Sequence, residues 1–155
     1  MAEVLHLYQA VAHGQAVREF DEVFAVENKG FKDCVHGRRG SSRQLLLMDV
    51  ETLDEFGLVP GRVKENITTR GIKLDGLSIG QRIRAGEALL EITIECEPCH
   101  QMDAIRSGLK EALRGRRGIL CRVIESGQIR RGDRIEIVQE QAREKLGTRD
   151  QDTAR

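Results

Sequence analysis

What most restricts the fold of this chain is that its apolar residues come in short runs, each closed off by glycine. Three such β-like runs, 66–72, 79–83 and 88–95, are separated by Gly71, Gly76, Gly80 and Gly86. Glycine takes the positive backbone angles of tight turns without steric cost, so this spacing reads as strand, turn, strand. In 88–95 (ALLEITIE), Ile92 and Ile94 alternate with Glu91, Thr93 and Glu95, the period of a half-buried strand. Further strands are predicted at 4–13, 20–27, 43–48, 119–125 and 134–138. Two helices interrupt them. Asp49 is placed to cap a short one carrying Val50, Leu53 and Phe56 on one face and ending at Gly57. Met102, Ile105, Leu109 and Leu113 fall at helical spacing within 101–113. The predicted class is mostly β, a barrel of short strands with a few short helices, rather than a parallel α/β sheet.

At 155 residues the chain is expected to form one domain over 1–138, followed by a polar, flexible tail over 139–155. Lys plus Arg and Asp plus Glu both number 25, which argues against broad electrostatic binding of nucleic acid. There is no Trp, and Tyr8 joins only 4 Phe, so a base-stacking platform is poorly supplied. No window approaches the length of apolar sequence that a membrane span needs. The N-terminal MAEVLHLYQAVAHG lacks the basic start and apolar stretch of a secretory signal. A cytoplasmic location with reduced thiols at Cys34, Cys96, Cys99 and Cys121 is therefore expected.

The densest chemistry lies at Cys96-Glu97-Pro98-Cys99-His100, where a predicted strand gives way to a predicted helix. Unpaired N–H groups and the positive end of the helix dipole at such a junction favour a thiolate. Pro98 stiffens the approach, and His100 offers a proton acceptor or a cationic neighbour. Cys99 is accordingly the candidate reactive thiol. Other readings of the segment stay open. Cys-x-x-Cys-His is the attachment pattern of c-type haem, but that chemistry needs an exported chain, and no haem is expected. Cys-x-x-Cys can form half a zinc site, which Cys34 and His36 would have to complete. A thioredoxin-like redox pair belongs beside a βαβ pattern that is missing here. Buried, inert cysteine is the plain reading for Cys121, and for Cys96 it stands level with a helper role.

Several segments in order resemble the MOSC family, the domain found at the C-terminus of molybdenum-cofactor sulfurases. They are Lys32-Asp33-Cys34-Val35-His36-Gly37, Arg43-Gln44, Pro60-Gly61-Arg62-Val63-Lys64-Glu65-Asn66-Ile67, Gly71-Ile72, Pro98-Cys99, Arg117-Gly118-Ile119 through Val123-Ile124, and Gly127 with Gly132-Asp133. The resemblance runs from about residue 5 to residue 138. It implies a β-barrel fold and a role in handling sulfur or the molybdenum cofactor. The cysteine of the family's Pro-Cys motif, thought to carry a persulfide or to ligate molybdenum, corresponds to Cys99. Lys32 stands where relatives often have Gly, which leaves the shape of that loop open.

A cofactor made of a pterin, a phosphate and a metal-binding dithiolene would need cations, amides and a soft thiolate. On that resemblance Lys32, Asp33, His36, Arg43, Glu65, Asn66, Arg116 and Arg117 are the candidate cofactor-binding residues, and Cys99 the candidate molybdenum ligand. Arg43, at the head of a strand, is the stronger candidate of the arginines. Arg38, Arg39, Arg116 and Arg117 can equally be solvated basic turns. Gly132-Asp133 is read as a structural turn, and His6 and His13 as surface residues. A pyridoxal-phosphate desulfurase cannot fit in this length, so sulfur would come from a cysteine desulfurase or another donor. The acceptors would be molybdenum-cofactor enzymes or biosynthesis proteins. Two rival roles are a molybdenum-dependent reductase of N-hydroxylated compounds and a non-catalytic module that binds and delivers the cofactor.

Overall fold

The computed structural model of the chain describes residues 1–138, and the flexible tail expected over 139–155 lies outside the described residues. Strands dominate, as the glycine spacing predicts. In chain order they are β1 (Glu3–Gln9), β2 (Arg18–Phe20), β3 (Glu22–Val26), β4 (Gly30–Phe31), β5 (Leu45–Asp49), β6 (Ile67–Arg70), β7 (Arg82–Ala85), β8 (Ala88–Glu95), β9 (Ile119–Glu125), β10 (Gly127–Arg130) and β11 (Ile135–Ile137). The helices are α1 (Val50–Glu55), α2 (His100–Ile105) and α3 (Leu109–Ala112). One sheet of 8 strands has the order β11-β7-β8-β9-β5-β6-β1-β2, and β10-β3-β4 form a smaller one. Among the described residues only β5 and β6 pair in parallel. No hairpin can join parallel neighbours, so the chain crosses over through α1 and the turn at 56–66.

The large sheet curls on itself without becoming a closed barrel. β1 meets the chain just ahead of β11 through the single bridge Glu3–Arg134, with the Val4 N–H donating to the Asp133 carbonyl at 2.8 Å. Further along, the outer edge of β1 is already taken: Leu7, Tyr8 and Gln9 pair with Phe20, Glu19 and Arg18 of β2. Shared between two partners, that edge cannot carry the continuous ladder a barrel requires. Inside the curl lies the main core, with Leu7, Leu45, Leu47, Ile67, Ile83, Leu90 and Ile92 all essentially inaccessible. Full burial of each such side chain is worth roughly 1.5–3 kcal/mol.

Local chemistry accounts for the helices. The Asp49 carboxylate accepts from the Thr52 N–H at 3.0 Å and from its hydroxyl at 2.7 Å, the expected N-cap of α1. The single helix expected over 101–113 is instead two, because Gly108 sits at φ +86° between α2 and α3. Its apolar register survives the break: Met102, Leu109 and Leu113 are buried with Met48, Leu53 and Val63 in a second core. That core holds the helices against the sheet and so fixes both ends of the 96–99 segment. β10 ends just ahead of the Gly132-Asp133 turn, and β4 lies within the largely irregular segment 28–42.

Gly118, which leads into β9, has φ +109°, and a Cβ there would run into the Leu47 carbonyl and come within 3.2 Å of the Met48 sulfur. Gly118→Ala is expected to cost about 2–4 kcal/mol, since both the backbone angle and the contact are unfavourable. Urea titration followed by circular dichroism measures this. A loss below about 0.5 kcal/mol would mean the strand relaxes freely.

Candidate functional site

β8 ends at Glu95, and residues 96–99 run from the sheet to α2 without regular structure. The Cys96 N–H donates to the Gly118 carbonyl at 2.9 Å, tying the start of this segment to the head of β9. At its other end Cys99 occupies the N-cap position of α2, yet its side chain makes no capping hydrogen bond. Its thiol is free and exposed. The other three cysteines are buried. Cys121 is wholly enclosed in the core, and burial pushes its thiol up to about 12. Burial also raises Cys96, although the nearby Arg117 and Arg43 pull it the other way. The Cys34 sulfur accepts from the Ala10 N–H at 3.4 Å and from the Asn66 amide at 3.7 Å. Among the described residues no cluster of three His, Cys, Asp or Glu side chains could hold a metal ion.

Cys99 opens onto a cleft of about 720 Å³. Of the residues picked from sequence, the cleft wall gathers His36, Arg43, Asn66, Cys99 and Arg117. Each is placed by a definite local device. Arg43 stands exposed just ahead of β5, where its N–H donates to the Ser41 hydroxyl at 2.9 Å. The neighbouring Gln44 is buried and donates to the Asn28 side chain and the Ser41 carbonyl, pinning both ends of the 28–42 loop. That loop carries His36, whose ring is held below its usual value by burial, by His13 and by Lys64. The His13 and His36 rings lie 6.0 Å apart. Asn66 lines the cleft, but its amide is committed: it accepts from the Leu46 N–H at 2.9 Å and donates to the Tyr8 carbonyl at 3.3 Å.

Arg117 is the most unusual member. It is only 6% exposed, and one nitrogen donates to the Val63 carbonyl at 2.8 Å. Its Nε and Nη1 are buried with no partner among the described residues. A buried guanidinium with two idle donors is costly, and such groups are rare in folded proteins without a compensating role.

The structure leaves other candidates outside the cleft. Lys32, Asp33 and His100 are exposed and none of them lines the cleft. Glu65 is fully buried, and its carboxylate holds the Pro-Gly turn by accepting from the Gly61 N–H at 2.8 Å and the Thr68 hydroxyl at 2.6 Å. Arg116 turns away, forked onto Glu55 at 2.7 Å through both nitrogens, with its guanidinium carbon 5.4 Å from the Phe56 ring centroid. Sequence reasoning passed over Arg62 and Lys64, which also line the cleft. The available signal was their place inside Pro60-Gly61-Arg62-Val63-Lys64-Glu65-Asn66. Lys64 has φ +66°, a conformation that lysine adopts only under constraint.

Exposure separates the thiols sharply, so brief iodoacetamide treatment of the native protein is expected to alkylate Cys99 and spare Cys34, Cys96 and Cys121. Peptide mass mapping reads this directly. Equal labelling of Cys96 would show that the segment opens readily.

A family model described as MOSC domain matches residues 37–136. No curated protein sequence is matched. Among solved structures, the YuaD protein from Bacillus subtilis superposes with a TM-score of 0.78 at 24% identity, covering 88% of this chain and 94% of that one. YiiM from Geobacillus stearothermophilus gives 0.69 at 17% identity, with coverage of 90% and 76%. YiiM from Escherichia coli gives 0.68 at 21% identity, with coverage of 90% and 71%. At these identities the structures share the fold.

Proposed function

The chain belongs to the MOSC domain family, and from that premise we propose that it is a sulfur carrier whose Cys99 holds a persulfide at the mouth of the cleft. The observation that carries this reading is the exposed Cys99 thiol standing in one cleft with Arg43, His36 and the buried Arg117, while Cys34, Cys121 and Cys96, the last of which also lines the cleft, are buried. In the loading step the Cys99 thiolate attacks the terminal sulfur of a donor persulfide. A new S–S bond forms on Cys99, the donor's S–S bond breaks, and the donor leaves as a thiolate. A cysteine desulfurase is a fitting donor.

The family's association with the molybdenum cofactor has a counterpart in the residues present. Cys99 offers a soft sulfur to a metal already held by sulfur. Arg117 and Arg43 on the cleft wall would supply the positive charge that a phosphate needs. These residues fit the group, and when bound it would supply two-electron redox chemistry at molybdenum. Asn66 contributes the shape of the wall, since its amide is already hydrogen-bonded. Arg117 would orient the anionic end and Cys99 would face the metal.

Incubation with a cysteine desulfurase and cysteine, followed by intact mass measurement, tests the carrier role. The expected gain is about 32 Da, one sulfur atom, removable by dithiothreitol. An unchanged mass under conditions that load a known acceptor would exclude it.

A further inference from the structure

The chain as a whole is electrically balanced, yet its cleft is not. Arg38, Arg43, Arg62, Lys64 and Arg117 line it, facing the single carboxylate of Glu97. Among the described residues none of these five cations lies within ion-pair distance of a carboxylate. Elsewhere most arginines are matched, Arg18, Arg39 and Arg106 excepted: Arg82 and Arg122 share Glu91, Arg70 holds Glu3, and Arg116 holds Glu55. Positive charge has been left unneutralised at the one place where a free thiol is exposed.

We propose that this cleft takes a small dianionic sulfur donor of the thiosulfate class and transfers its outer sulfur to Cys99. The inference rests on the reading of Cys99 as a sulfur carrier and names a donor for it. In the step proposed, the Cys99 thiolate attacks the sulfane sulfur of thiosulfate. The bond from Cys99 to that sulfur forms, the sulfur–sulfur bond of thiosulfate breaks, and its electron pair leaves with sulfite. A thiolate and a dianion become a persulfide anion and a dianion, so charge and electrons balance and no further oxidant or reductant is needed.

Two features favour such a donor over a protein persulfide alone. The first is electrostatic. Bringing a thiolate against a dianion gathers three negative charges within a few ångströms, and that repulsion is the main obstacle to the reaction. A group of unpaired cations is what offsets it, and their field also steers an anion into the cleft. The second is depth. Arg117 is 94% buried by its 6% exposure, with Nε and Nη1 idle. A cysteine on a partner protein's loop would meet the rim, whereas a small oxyanion can enter among the five cations that line the cleft, where the charge of the buried guanidinium is little screened. The cleft's remaining volume leaves room for a sulfur acceptor to approach Cys99.

The test uses the purified full chain with thiosulfate alone, reading the mass of the Cys99 peptide and the sulfite released. Addition of cyanide, which removes persulfide sulfur as thiocyanate, then reads turnover. The expected result is one added sulfur on Cys99, one equivalent of sulfite, and continuous thiocyanate formation. Cys99→Ala should show none of these. Arg43→Gln and Arg117→Gln should each raise KM for thiosulfate about ten-fold or more, as loss of a charged contact predicts. Should the buried Arg117→Gln fail to fold, the exposed Arg43→Gln carries that arm. Sulfate and phosphate should compete with thiosulfate without loading sulfur. Loading by a desulfurase with cysteine but not by thiosulfate would overturn the inference and leave the carrier role standing. Failure of both would remove both. Thiosulfate binding without sulfite release would also overturn it, marking the cleft as an oxyanion site alone.

Discussion

Cys99→Ala is expected to abolish sulfur loading while leaving the fold untouched. The thiol makes no capping hydrogen bond to α2 and is exposed, so its removal takes away one sulfur atom and no packed surface. Stability should change by no more than about 0.5 kcal/mol, as for other exposed substitutions. The loading rate, in contrast, should fall roughly a thousand-fold or more, the scale on which removal of a nucleophile acts. Cys96→Ala provides the counterpart. Its side chain is only 6% exposed, so it should lower stability by about 1–2 kcal/mol through the cavity it leaves. It should still load sulfur, because Cys99 remains. Intact mass and peptide mapping after treatment with a desulfurase and cysteine separate the two variants. If Cys99→Ala gains the same mass as the parent and Cys96→Ala does not, the carrier is the buried thiol and the assignment is wrong.

The contrast between these two cysteines marks the limit of what the sequence discloses. Strand β8 and strand β9 are legible to the residue, because their alternating or continuous apolar runs end at charged residues and turns. Asp49 is legible as a cap because the helix it starts follows at once. The break in 101–113 is not, because the apolar spacing continues in register across Gly108 and only its positive φ reveals the turn. The same holds at the site. Cys99 and Arg43 are recognisable from local position and family resemblance. Arg116 and Arg117 are chemically identical neighbours, and no local rule says which one enters the cleft. The choice is made at long range: Glu55 lies 61 residues away and captures Arg116, while the Val63 carbonyl, 54 residues away, draws Arg117 inward. The mostly-β expectation holds, and only closure of the barrel was illegible, since tertiary pairing alone places β2 on the edge that closure would have needed.

Arg117→Met is expected to make the protein more stable and its cleft inert. A guanidinium this deeply buried loses most of its hydration, and only one of its nitrogens regains a partner, the Val63 carbonyl. Replacing a buried, incompletely paired charge by an apolar side chain of similar length is typically neutral or stabilising by about 1–4 kcal/mol. Against this stands the unpaired Val63 carbonyl, a loss of about 1 kcal/mol. The net expectation is a rise in unfolding free energy of about 1–2 kcal/mol, read by urea titration. The parent should gain stability when sulfate or thiosulfate is added, by about 2.7 kcal/mol at a hundred times the dissociation constant. Arg117→Met should gain little, because the buried guanidinium charge that draws the oxyanion in is gone. A fold that keeps a destabilising charge next to its one exposed thiol is best explained by a ligand that repays the cost on binding. Should Arg117→Met prove less stable than the parent and still respond fully to sulfate, the guanidinium is a structural tie to Val63. The anion would then be held by the exposed cations at the rim.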